Sequence, residues 1–156
     1  VLFVGLMIKD GAPRLVEYNA RFGDPECQVL MMRLGAQAFD HIQAAAEGRL
    51  NEAKVHWADD HALTVVMAAK GYPAAYEKGT VIKGLEALPQ SSSQMVFHAG
   101  TARAAENVTA VGGRVLAVTA RADTLEEAHS LAYSITRQID WPEGFFRSDI
   151  GWRALR

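Results

Sequence analysis

Apolar residues recur at every second position in some stretches of the chain and at every third or fourth in others, and this contrast divides it into elements. Leu2 to Ile8 is almost wholly apolar, Lys9-Asp10-Gly11-Ala12-Pro13 has turn residues, and Arg14 to Phe22 alternates. That pattern predicts a β-hairpin closed by a short glycine-containing loop. A two-stranded hairpin is marginal by itself. Because Val1 already lies inside the apolar run, the expectation is a piece of a longer polypeptide with partner strands upstream.

Asp24-Pro25-Glu26 has the chemistry of a helix start: Asp24 to cap free N–H groups, Pro25 for the first helical position, Glu26 at the positive end of the dipole. Leu30 and Leu34 share a face and Gly35 interrupts, so the spacing predicts one helix over 25–34 and a second over 36–47. In the second, Phe39, Ile42 and Ala46 are expected to face inward, with Gly48 as the stop. Asn51 to Asp60 is polar and aperiodic, which marks a boundary.

Short strand patterns then dominate: His61 to Ala69, Thr80 to Ile82 between Gly79 and Gly84, Gln94 to Thr101, and Val108 to Val111. Gly112-Gly113 predicts a two-residue hairpin turn into Arg114 to Ala120. Thr124 and Glu127 have capping-box spacing, and Ala128, Leu131, Ala132, Ile135 and Ile139 form one stripe. These predict a helix over about 125–140 that Trp141-Pro142 stops. Phe145, Phe146, Ile150, Trp152 and Leu155 predict a tail folded back on the body. The fold class is therefore α+β. Residues 1–50 supply a hairpin and helices left over from a larger sheet domain, 51–60 connect, and 61–156 form a small, mostly antiparallel domain with one long helix.

Composition removes several function classes. With 156 residues, 49% hydrophobic and 22% charged, the chain has the balance of an ordinary globular protein. Lys plus Arg number 16 against 18 Asp plus Glu, so no basic surplus points to nucleic acid or an anionic membrane. Cys27 is the single cysteine, which excludes an intrachain disulfide and a thiolate metal cluster and fits a reducing compartment. No apolar run reaches the ~20 residues of a membrane span, and Val1-Leu2-Phe3-Val4 lacks a basic signal-peptide start. The expected location is the cytoplasm.

The densest candidate chemistry lies in Glu17 to Glu26. If the strand runs to Arg21, Glu17, Asn19 and Arg21 share one face and Val16, Tyr18, Ala20 and Phe22 the other. Two readings stand side by side: an exposed polar strand face, or a site in which Glu17 and Asn19 give oxygen ligands to a hard cation such as Mg²⁺. Arg21 could then hold a carboxylate or phosphate through two parallel hydrogen bonds. His56 and His61, with Asp59 and Asp60 between them, match no zinc motif and read as a connecting loop. His98 reads as a surface strand residue, Gly112-Gly113-Arg114 as a turn, and Cys27 as a small packed side chain. No Gly-x-Ser-x-Gly elbow, P-loop or Gly-x-Gly-x-x-Gly fingerprint is present.

The run Glu17-Tyr18-Asn19-Ala20-Arg21-Phe22-Gly23-Asp24-Pro25-Glu26-Cys27-Gln28 resembles the phosphoribosylamine-glycine ligase (glycinamide ribonucleotide synthetase) family of the ATP-grasp superfamily. The Glu-x-Asn pair is common to many ATP-grasp enzymes, whereas the Arg-Phe-Gly-Asp-Pro-Glu continuation is far more specific. Further matches run to the end of the chain: Gly71-Tyr72-Pro73, Lys78-Gly79 with Ile82 and Gly84, Phe97-His98-Ala99-Gly100-Thr101, Gly112-Gly113-Arg114-Val115-Leu116, and Arg147-Ser148-Asp149-Ile150-Gly151-Trp152-Arg153. Cys27 replaces a common threonine, and Lys70 stands where glycine commonly precedes Gly-Tyr-Pro.

The resemblance implies the end of an ATP-grasp domain followed by the small C-terminal domain. It implies ATP-dependent joining of glycine to 5-phosphoribosylamine through a glycyl phosphate, with Glu17 and Asn19 as Mg²⁺ or Mn²⁺ ligands. Arg21 would hold the transferring phosphoryl group or the glycine carboxylate. ATP is then a co-substrate, and the missing N-terminal part of the same polypeptide is the principal partner. By itself the fragment is expected to be inactive, with a possible dimer through Leu2, Val4 and Leu6. The alternatives are another ATP-grasp ligase, such as a carboxylating purine enzyme, and a non-catalytic ATP-grasp-derived binding module.

Overall fold

The computed structural model describes residues 1–156. Strand β1 (Phe3–Lys9) and β2 (Ala12–Asn19) form an antiparallel hairpin. Its turn is Asp10-Gly11, both with positive φ (52° and 75°), the backbone a two-residue turn needs to match the strand twist. Gly5 pairs with Glu17 and Leu6 with Leu15, so Val16 is an extra, bulged residue. The alternation to Phe22 overstates β2. Asn19 pairs with Phe3, the first residue of β1, so the ladder has no further partner. Both hairpin faces are open: Leu6, Met7, Ile8, Leu15, Val16 and Tyr18 are all exposed.

Helix α1 (Glu26–Leu34) follows, opened by Cys27 N–H donating to Gly23 O at 2.9 Å. The expected roles of Asp24 and Pro25 are corrected. Pro25 precedes the helix, no side chain caps it, and the Asp24 carboxylate is engaged by Arg114 at 2.8 Å.

Helix α2 (Gln37–Ala46) ends as expected, with Gly48 at φ 70° and Arg49 N–H donating to Ala44 O at 2.8 Å. Its orientation is not the expected one: Phe39 (70% exposed), Ile42 and Ala46 point outward, and Ala44 is buried. A polar anchor decides the face. Gln37 donates to His56 O at 2.8 Å and accepts from His56 N–H at 3.0 Å, which turns the Gln37, His41 and Ala44 side of the helix toward the connecting segment.

The body contains β3 (His61–Ala69), β4 (Thr80–Ile82), β5 (Gln94–His98), β6 (Thr101–Ala104), β7 (Asn107–Ala110), β8 (Arg114–Ala122), α3 (Leu125–Thr136) and β9 (Gly144–Phe146). One antiparallel sheet has the order β5-β8-β3-β9 and a smaller one β4-β7-β6. The central strands are near-continuous apolar runs because both faces are covered. On one face Met67, Leu116, Val118 and Val96 meet Ile82 and Ala110 of the small sheet and Ile135 and Trp141. Beside them Leu63, Val65 and Ala120 pack on Ala132 and Tyr133. The alternate residues Met95, Phe97 and Arg121 face α1, leaving a groove of about 320 Å³ with Met31 and Met32. Burial of one Leu, Val or Phe here contributes roughly 1.5–3 kcal/mol.

Two strand expectations change. Gln94 to Thr101 breaks at Ala99-Gly100, and Gly112-Gly113 is no hairpin turn, because β7 belongs to the small sheet and β8 to the large one. The glycines serve a close approach instead. Val111 and Gly112 N–H both donate to Gly100 O (2.8 and 3.0 Å), and a Cβ on Gly100 would lie 2.7 Å from the Gly112 Cα.

The Thr124 and Glu127 capping box forms, with reciprocal bonds of 3.2 and 3.3 Å. Helix α3 stops at Thr136 rather than near 140 because Asp140 bridges Lys83 through backbone bonds of 2.9 and 3.1 Å. The tail does return to the body: Phe146 pairs with Met67, and the buried Tyr133 hydroxyl donates to Arg147 O at 2.7 Å and accepts from Ile150 N–H at 3.1 Å.

Candidate functional site

The candidate residues sit at the end of β2 and on the loop that leads into α1. Glu17 lies opposite Gly5, and a Cβ there would be 3.1 Å from the Glu17 Cγ. The missing side chain on β1 therefore lets the carboxylate arm lie across the neighbouring strand. Asn19, two residues on and half-buried, points to the same side of β2. Neither side chain has an ion pair or hydrogen bond within the chain, so their oxygens remain open to an outside group. Arg21 falls beyond the strand, and its Nη1 donates to Phe22 O at 2.7 Å on an exposed surface. The structure thus brings Glu17 and Asn19 together on one strand face and does not put Arg21 on that strand.

The loop is pinned from both sides. Gly23 is buried, and a Cβ there would meet the Glu26 carboxyl and lie 3.0 Å from the Phe3 ring. One residue on, Asp24 reaches Arg114. A carboxylate and an amide oxygen on a strand are hard donors of the kind Mg²⁺ or Mn²⁺ takes, and two of them leave positions for water and phosphate oxygens. The donor set fits such a cation as one wall of a site. No group of three or more His, Cys, Asp and Glu side chains forms a metal cluster elsewhere. His98 bonds Thr101 Oγ1 through Nδ1 at 3.0 Å, on the surface.

A charged network escaped the sequence reading. Arg121 of β8 donates to the Asp60 carboxylate and to Met32 O, while Arg33 donates to Ala58 O at 2.7 Å and lies over the Trp57 ring. Asp60 is largely buried. The connecting segment is therefore bonded to α1 and β8, where the sequence had marked only a polar loop. Positions 33, 60 and 121 are too far apart in sequence for any local pattern to reveal them. Hydrogen bonds from Gln43 and Arg49 hold the Glu47 carboxyl below its ordinary range, and one from Arg147 does the same for Asp149.

Comparison with known proteins decides the family. Residues 62–153, more than half of the chain, match the description "Phosphoribosylglycinamide synthetase, C domain". The chain belongs to the phosphoribosylglycinamide synthetase family. Residues 1–27 match that synthetase's ATP-grasp (A) domain, and this span includes Glu17, Asn19 and Arg21. A phosphoribosylamine–glycine ligase of Brucella melitensis is 56% identical over 99% of this chain and 36% of its own length. A chloroplastic phosphoribosylamine–glycine ligase of Arabidopsis thaliana is 56% identical over all of this chain and 30% of its own. Among solved structures, phosphoribosylamine–glycine ligase of Thermotoga maritima superimposes with a TM-score of 0.76 at 36% identity, over 95% of this chain and 36% of that one. The chain thus spans about a third of the length of the synthetase relatives it matches, and its α+β architecture is that of the corresponding third.

Proposed function

We propose that the complete polypeptide carrying this chain joins glycine to 5-phosphoribosylamine at the expense of ATP. The observation that carries the reading is the 56% identity, over 99% of the chain, to a protein named for that ligation. A glycine carboxylate oxygen attacks the γ-phosphorus, and the bond from phosphorus to the ADP oxygen breaks, giving glycyl phosphate and ADP. The phosphoribosylamine nitrogen then attacks the acyl carbon. Phosphate leaves with the carbon–oxygen electron pair, and the nitrogen loses a proton as the amide forms.

Glu17 and Asn19 hold Mg²⁺ or Mn²⁺ in this reading. When bound, the cation supplies charge neutralisation at the phosphate oxygens. Arg21 swings from Phe22 O to grip the transferring phosphoryl group or the glycine carboxylate, since phosphoryl transfer depends chiefly on positioning and charge stabilisation. Residues 1–50 end the ATP-grasp domain, 51–60 connect, and 61–156 form the C-terminal domain. The protein works in the cytoplasm, and no helix is long and apolar enough to cross a membrane. This 156-residue chain alone is inactive and self-associates through the apolar hairpin.

ADP release by the complete polypeptide tests the reading. Multiple-turnover release should require glycine and phosphoribosylamine together, and the isolated chain should release none. Turnover by the isolated chain, or ATP binding without turnover in the complete polypeptide, would overturn it, the latter in favour of a binding module.

A further inference from the structure

The fold places two arginines of β8 at the two ends of α1. Arg114, the first residue of β8, donates through Nη2 to the Asp24 carboxylate at 2.8 Å, just ahead of the helix. Arg121, near the strand's end, donates through Nη1 to Met32 O in the last turn of α1 and through Nε to Asp60. On a regular strand, residues seven apart point to opposite faces. Here Met67 pairs with Leu116 but Ala68 pairs with Arg114, so Val115 is an extra residue. That bulge restores Arg114 to the face of Arg121, the face that α1 covers. Val115 itself is fully buried in the core, which anchors the bulge from behind.

Asp24 lies five residues beyond Asn19 and three beyond Arg21. Between them the loop has little freedom, because Gly23 is packed against Phe3 and Glu26. We propose that Arg114 is a positioning residue for catalysis: through Asp24 it sets the loop that carries Asn19 and Arg21 against the C-terminal body. Arg121 and Asp60 set the far end of α1 in the same frame. The inference rests on the ligase reading given above. Arg114 touches no reacting atom in it. Its guanidinium and the Asp24 carboxylate are about half exposed (45% and 53%), so their bond contributes little to global stability. Its value is in geometry, and small displacements of catalytic groups are expensive in rate.

The test uses the complete polypeptide with Arg114→Ala, Arg114→Lys, Asp24→Ala and the reciprocal pair Asp24→Arg with Arg114→Asp. Steady-state kinetics are read beside hydrogen exchange of the backbone amides at 20–27. Each alanine variant should lower kcat on the order of tenfold with the KM for ATP unchanged. Amide exchange in the loop should accelerate while β3 stays protected and the melting temperature holds. Arg114→Lys should retain most of kcat, and the reciprocal pair should recover much of it. Alanine variants at full kcat overturn the inference. So does a conservative variant and a charge swap both as slow as the alanines, which would mean that Arg114 or Asp24 meets substrate directly. Unsubstituted enzyme without turnover overturns the ligase reading and this inference together, whereas full activity in wild type and Arg114→Ala alike overturns this inference alone.

Discussion

The hairpin β1–β2 and the β3–β8 ladder are both antiparallel pairs, yet they use apolar residues in opposite ways. Along β3–β8 the side chains of Val65, Val115, Val118 and Ala120 are fully buried. In the hairpin, Leu6, Met7, Ile8, Leu15 and Val16 are half or more exposed. The difference teaches where stability and chemistry reside. The ladder is closed by α1, α3 and the small sheet, so each of its side chains contributes burial. The hairpin is largely uncovered, apart from its Phe3 end against Gly23, and still carries Glu17 and Asn19, whose side chains have no partner within the chain. One region supplies the frame, and the other carries the residues of the proposed metal site.

The sharpest contrast should come from truncating one side chain in each region. Tyr133→Ala removes a fully buried ring and both hydroxyl bonds to the tail, and should cost about 3–5 kcal/mol in chemical denaturation. Leu6→Ala should stay within about 0.5 kcal/mol, as exposed substitutions do, while reducing the proposed self-association in sedimentation. A comparable loss from Leu6→Ala would show the hairpin to be part of the cooperative core. Next in size, Asp60→Ala leaves Arg33 and Arg121 without their carboxylate and should cost about 1–3 kcal/mol, which would sharpen the claim that the connecting segment is bonded to the frame. Thr124→Ala should remove about 1 kcal/mol by opening the capping box of α3.

The smallest effect is a pH dependence. Arg147 holds the folded-state carboxyl of Asp149 below the ordinary aspartate range. A depressed carboxyl contributes stability that is fully present above its unfolded pKa, about 3.9, and is lost as pH falls through the lower folded value. Unfolding monitored between about pH 5 and 2 should show Arg147→Ala losing its difference from wild type toward the acid end.

The same contrast explains what could be read from residue order. Strand β3 (His61–Ala69) and the capped start of α3 were legible because burial and capping act over a few residues, as Leu63, Val65 and the Thr124–Glu127 pair show. That Glu17 and Asn19 share one strand face was legible from alternation. What escaped depends on distant partners. Gly112-Gly113 looks like a hairpin turn until Gly100 packs against it, and Phe39 and Ile42 look inward until Gln37 bonds His56. Asp24 looks like a cap until Arg114 takes its carboxylate from 90 residues away. The bulge at Val115, which aims Arg114, has no local signature at all.

The most direct test of the claim that the hairpin holds the chemistry while the body holds the fold is a Mn²⁺ titration of the complete polypeptide, ATP present, comparing wild type with Glu17→Ala. Binding should weaken at least on the order of tenfold with an unchanged melting temperature. Unweakened Mn²⁺ binding, or a variant that loses its cooperative fold, would contradict that claim.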